Sequence, residues 1–132
     1  MINKYEMKNR FDDNPIIYAV LAVLWAGVIY IGSSIPGSNL PSAPDVTSSV
    51  VHVTEYAILS ILIMQAFWKY YGKFVILDTA ILVVLYAISD EVHQYFVPGR
   101  FTDPVDLAFD ILGLTLGMLI FVVLHIKYAK RG

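Results

Sequence analysis

The strongest constraint on this chain is a set of four apolar runs separated by short polar breaks. They cover Pro15 to Gly32, Val50 to Trp68, Phe74 to Ile88 extended by a polar block, and Val105 to Ile126. Each is close to the ~20 residues that a helix needs to cross hydrocarbon. Their overall content, 58% hydrophobic and 15% charged in 132 residues, gives a mean hydropathy of +0.66. A soluble domain of this size has too few charged residues to cover so much apolar surface, whereas a bilayer makes covering it unnecessary. The chain is therefore expected to be all-α, a polytopic membrane protein built as a four-transmembrane-helix bundle. The expected division is a cytoplasmic segment over 1–14, a membrane domain over 15–126 and a basic cytoplasmic tail over 127–132.

Composition also removes function classes. Net charge is −2 and the basic residues form no long cluster, so no nucleic-acid partner is expected. Cysteine is absent, which excludes disulfides, thiolate metal ligands and cysteine nucleophiles. Lys4, Lys8 and Arg10 precede the first run, with Gly32-Ser33-Ser34 after it, a pattern that resembles a signal peptide. The run is long for that role, and an uncleaved first helix is the preferred reading.

The breaks carry their own signals. "KYYGK" at Lys69 to Lys73 reads as a tight helical hairpin, and "GSSIPGSNLPSAPD" reads as loop. Pro104 after Thr102-Asp103 is a helix entry, with one of those two residues as the cap, and Asp45, Thr47 and Ser48 precede the second run in the same way. Eight of the nine basic residues fall before the first run, between the second and third, or after the fourth. Only Arg100 lies elsewhere. The positive-inside rule then puts both termini and the middle hairpin in the cytoplasm, and the first and third loops outside, at the cell membrane's outer face.

That topology gathers the polar residues at one end. His52, Glu55 and Tyr56 are spaced i, i+3, i+4, as are Asp90, His93 and Gln94; Asp103, Asp106 and Asp110 are spaced i, i+3, i+7. Each set makes one stripe on its helix. A lipid-exposed carboxylate at such depths costs about 2.5 kcal/mol or more, so these stripes should face inward, toward one another. Asp45 and Asp103 read as helix caps, and Asp78 and His125 as residues near the inner helix ends. For Glu55, Asp106 and Asp110, which lie deeper, dipole effects of about 0.3–1 kcal/mol do not offset burial of an unpaired charge.

The motifs "SSIPGS", "HVTEYAIL", "SDEVHQYFVPGRFTDPVD" and "DILGLTLGMLI" occur in this order, and together they resemble the VanZ-like family from about Trp25 to Leu124. The family is named for an accessory protein linked to teicoplanin resistance. The resemblance implies a membrane protein acting at the cell envelope. Position 110 departs from it, being Asp here where the pattern usually has Asn.

Three functions fit. In the first, an enzyme acts on a lipid, lipid-linked precursor or other envelope substrate as a metal-assisted hydrolase or transferase. His52, Glu55, Asp90, His93 and Asp106 are then the candidate catalytic residues and the candidate ligands of a divalent metal. H-x-x-E lacks the second His of H-E-x-x-H, so the spacing is no metalloenzyme signature. In the second, a binding module holds a membrane lipid headgroup or a lipoglycopeptide, with Tyr56, Ser89, Glu91, Gln94, Arg100, Asp103 and Asp110 as further ligand-binding candidates. Arg100 suits a phosphate or carboxylate, or else pairs with Asp103 or Asp106. In the third, the polar network only locks helix packing and the protein works through partners. Gly113 and Gly117 form a G-x-x-x-G that permits close backbone approach, either for packing inside the bundle, the preferred reading, or for dimerisation. Cysteines placed at Ser38 and Gly99 should react with an impermeant thiol reagent in intact cells, while one at Gly72 should not; the reverse pattern would invert the topology.

Overall fold

The computed structural model describes residues 14–40 and 45–129. Lys4, Lys8, Arg10, Lys130, Arg131 and the cap reading of Asp45 fall outside what is described. Four α-helices follow one another: α1 Pro15–Ser33, α2 Asp45–Tyr71, α3 Val75–Tyr95 and α4 Pro104–Ala129. Short 3-10 turns occupy Gly37–Asn39 and Gly72–Phe74, and no strand occurs among the described residues. Three stretches are long and apolar enough to cross a membrane: Pro15–Ser33, Val46–Tyr95 and Pro104–Lys127. The middle stretch holds both α2 and α3. Large apolar side chains such as Ile16, Val23, Leu77 and Val123 point outward from the helices, as lipid-facing residues do. The chain is a multi-pass membrane protein.

Helix α2 begins five residues before its apolar run. The polar Thr47 and Ser48 are exposed, so they continue the helix without needing burial, and hydropathy marks only the part of a helix that lipid or protein must cover. Helix α4 starts as its sequence indicates. Pro104 stands at its first position, and the Asp103 carboxylate accepts a hydrogen bond from the Val105 N–H at 2.8 Å, the expected N-cap geometry. The turn after α2 reverses the chain at Gly72, φ +54°, where glycine escapes the left-handed penalty.

Helix α2 is the hub of the packing. Trp25 Nε1 of α1 donates to the Glu55 carbonyl of α2 at 2.9 Å, and the Tyr86 hydroxyl of α3 donates to the Ala26 carbonyl of α1 at 2.5 Å. One core cluster draws on every helix, with Ala22, Ile29, Tyr56, Leu59, Val83, Ala87 and Leu114. A second, of Met64, Val75 and Phe121, fills the far end. Against α4 the approach of α2 is closest: a Cβ at Gly113 would run into the Val53 carbonyl, and one at Gly117 into that of Ala57. The G-x-x-x-G therefore serves packing within the molecule, with Val53 and Ala57 as its i, i+4 complement.

The loops at the ends of α1 and α3 touch. Gly37 N–H donates to the Pro98 carbonyl at 3.0 Å, and a Cβ on Gly37 would overlap Gly99. Gly99 has φ +74°, so the exposed neighbours Phe101 and Lys73 carry cysteine labels with less strain than Gly99 and Gly72. Gly113→Ala and Gly117→Ala should each destabilise the protein in detergent by about 1–3 kcal/mol through overpacking. Gly27→Ala, where a Cβ meets nothing within 4 Å, should be neutral or stabilising, since glycine inside a helix costs roughly 0.5–1 kcal/mol. Thermal melts of the three variants check this.

Candidate functional site

The C-terminal ends of α1 and α3 and the N-terminal ends of α2 and α4 meet at one end of the molecule, and the polar stripes meet there with them. His52 on α2 is the centre. Its Nδ1 lies 2.8 Å from Asp110 Oδ1 on α4, and its Nε2 lies 3.9 Å from Asp106 Oδ2, one turn nearer the start of α4. Spacing i, i+4 places the two carboxylates on one face of α4, and the close approach at Gly113 brings that face against His52. With Asp110 ionised, Nδ1 is the donor of this bond. That bond fixes the ring and leaves Nε2 without a hydrogen-bond partner among the described residues. A base oriented by a buried carboxylate is the supporting half of the Ser-His-Asp arrangement.

Around this pair lie further carboxyl groups. Asp90 Oδ2 accepts from Gln94 Nε2 at 3.0 Å, and Glu91 Oε2 accepts from the Asp103 N–H at 3.2 Å, which ties the end of α3 to the start of α4. Asp90, Glu91 and Asp110 are each at most 7% exposed. Asp90 Oδ1, Glu91 Oε1, Asp110 Oδ2 and the Tyr56 hydroxyl are buried with no hydrogen-bond partner among the described residues. Tyr56 sits within electrostatic reach of Asp110, Asp90 and Glu55, so its hydroxyl belongs to the same cluster. Glu55 is half-buried, with His52, Asp90, Asp110 and Arg100 as its charged neighbours.

Other candidates go elsewhere. His93 stacks on Tyr30, ring centroids 4.4 Å apart, and its Nε2 lies 2.9 Å from Ser34 Oγ. Ser34 donates its single proton to the Tyr30 carbonyl at 2.6 Å, so it accepts from His93, which cannot then be its base. His93 thus joins α3 to α1 and has no bond to His52, Glu55, Asp90 or Asp106. Arg100 pairs with neither Asp103 nor Asp106. Its Nη2 donates to the Gly32 carbonyl at 3.0 Å and its Nε to the Ile35 carbonyl at 3.2 Å, where a cation complements the C-terminal end of α1. Ser89 is exposed and bonds back to the Tyr86 carbonyl at 2.7 Å. Asp103 is engaged as the cap of α4. Among the described residues no group of three or more His, Asp or Glu is arranged to hold a metal ion.

Sequence reasoning missed Tyr30, Trp25 and Tyr86, all aromatic residues on apolar faces whose partners are main-chain carbonyls or a ring. Ser34 lay inside "SSIPGS", but nothing in the spacing pairs it with His93, 59 positions away.

The fold and this cluster define a class: an all-helical, multi-pass membrane protein with a buried histidine–carboxylate group at one end of its helices. The chain matches the VanZ/LLP1 family over residues 16–125, nearly its whole length. It belongs to that family. Neither the curated proteins nor the solved structures compared with it give a match. In nitrogen-15 spectra of the labelled protein, His52 should show a downfield Nδ1–H resonance that Asp110→Asn removes and Asp106→Asn keeps. Its persistence in Asp110→Asn would displace Asp110 as the group that orients the ring.

Proposed function

We propose that this VanZ-family protein crosses the membrane four times, with its polar end at the outer face. There it engages the head of a cell-envelope amphiphile, a membrane lipid, lipid-linked precursor or lipoglycopeptide. The observation that carries the reading is His52, held by Asp110 through one ring nitrogen while the other is unbonded. A histidine that only locked two helices together would gain by bonding through both nitrogens. An oriented, unbonded Nε2 instead suits accepting a proton or hydrogen bond from a ligand hydroxyl or amine, in binding or in general-base catalysis.

The second reading, a packing network, is favoured by the His93–Ser34–Tyr30 and Arg100 contacts, whose partners all belong to the protein. It accounts for that side of the cluster. It does not account for the buried carboxylate oxygens near His52 that lack donors, each a cost of about 1–3 kcal/mol.

His52→Asn separates the readings, because the Asn side-chain amide takes the place of Nδ1 and retains the bond to Asp110 while Nε2 disappears. The variant should insert and melt like the parent. It should also lose the parent's protection against teicoplanin-type lipoglycopeptides in a susceptibility assay, or its ligand binding. Glu55→Gln, which keeps the shape and removes the charge, should behave in the same way. Full activity in both variants overturns the proposal, and loss of fold in both assigns the cluster to packing.

A further inference from the structure

At the same end of the molecule as the polar cluster, the starts of α2 and α4 leave a groove of about 540 Å3 lined by Val46, Ser49, Val50, Val53, Thr54, Val105 and Phe109. That volume is within the range of about 300–1,000 Å3 typical of small-molecule sites. Its walls are next in sequence to the cluster: Val53 follows His52, while Val105 and Phe109 precede Asp106 and Asp110. Apart from Ser49 the lining is apolar in effect, since Thr54 turns its hydroxyl back to the Val50 carbonyl at 2.7 Å. It lies within stretches that cross the membrane, so hydrocarbon chains are the solvent that reaches it.

The polar side has a definite charge character. Glu55, Glu91, Asp106 and Asp110 lie within electrostatic reach of His52, and Asp90 within reach of Glu55 and Asp110. Arg100, the one Lys or Arg described at this end, is committed to the carbonyls of Gly32 and Ile35. Three carboxylate oxygens, on Asp90, Glu91 and Asp110, are buried with no donor among the described residues, while Glu55 and Asp106 are part-exposed. Such a surface attracts N–H donors and repels an anionic head.

We propose that the ligand of this site is a membrane lipid with an ammonium-bearing head, its head on the His52–Asp106–Asp110 cluster and one acyl chain leaving through the groove between α2 and α4. This deepens the function proposed above and rests on it for the identity of the polar site. The acyl chain fills a cleft that neither helix covers, and the ammonium meets the negative charge of Asp106 and Glu55, the two carboxylates of the group that are part-exposed. The groove selects a chain and the cluster selects the head.

The test uses the full chain in nanodiscs containing a phospholipid with a photoreactive acyl chain, carrying either an ethanolamine or a glycerol head. The ethanolamine probe should label residues 46–54 and 105–109 several-fold more than the glycerol probe does. Asp106→Asn should reduce that preference toward unity, and Val50→Trp should remove groove labelling with both probes. Val123→Trp, on the exposed face of α4 outside the groove, should change nothing. Equal labelling by the two heads, or labelling that Val50→Trp leaves intact, means ordinary surrounding lipid and overturns the proposal. Head preference that persists in His52→Asn while cellular activity is lost separates the two claims: the lipid site then stands whatever His52 does. Activity lost in His52→Asn with no head preference in the parent overturns the lipid assignment and leaves the function of His52.

Discussion

The close approach of α2 and α4 is the contact on which the rest of the structure depends. Two glycines on one helix and the main chain of Val53 and Ala57 on the other bring the axes near enough for His52 to meet Asp110. Bilayer tails are as apolar as leucine, so helices in a membrane gain nothing from hiding apolar surface against each other. What holds them is close packing and hydrogen bonding across the interface. Here the two coincide, since the glycine contact starts where the histidine–aspartate bond ends. A larger residue at position 113 would push the bond apart as well as the helices.

The cluster is then a question of electrostatics in a poor solvent. Carboxyl groups gathered at helix N-termini gain from the helix dipole, but the gain is confined to the first turn and is small beside the cost of burial. Asp103 is in the favourable position and is used as a cap. Asp110, two turns deeper, has only His52 as its hydrogen-bonded side-chain partner among the described residues, and depth is what makes that pairing obligatory.

Much of this was legible in the sequence, for identifiable reasons. Membrane crossing follows from hydropathy, and the stripes of His52, Glu55 and Tyr56 and of Asp106 and Asp110 follow from helical periodicity, because both are local. The cap at Asp103 and the inward role of Gly113 and Gly117 are local as well. What could not be read is which stripe faces which. His93 has the same spacing to Asp90 as Glu55 has to His52, yet it rotates toward α1 and stacks on Tyr30. Arg100, expected to face either an anion or an aspartate, instead takes main-chain carbonyls, whose positions no side-chain pattern records. The start of α2 was misplaced for a related reason, since an exposed polar turn is as helical as a buried apolar one.

The contacts of the third loop with the first have a consequence for biogenesis. Arg100 and Gly99 lie late in the chain, and what they grip is the end of the first helix and the loop that follows it. As the nascent chain leaves the ribosome, α1 can enter the membrane long before that grip exists. α2 and α3 can close as a hairpin on their own, because only the short Gly72–Phe74 turn joins them. The first helix therefore docks finally only after the third loop has been made. Release of the chain before residue 99 would leave the end of α1 and the loop after it without these contacts.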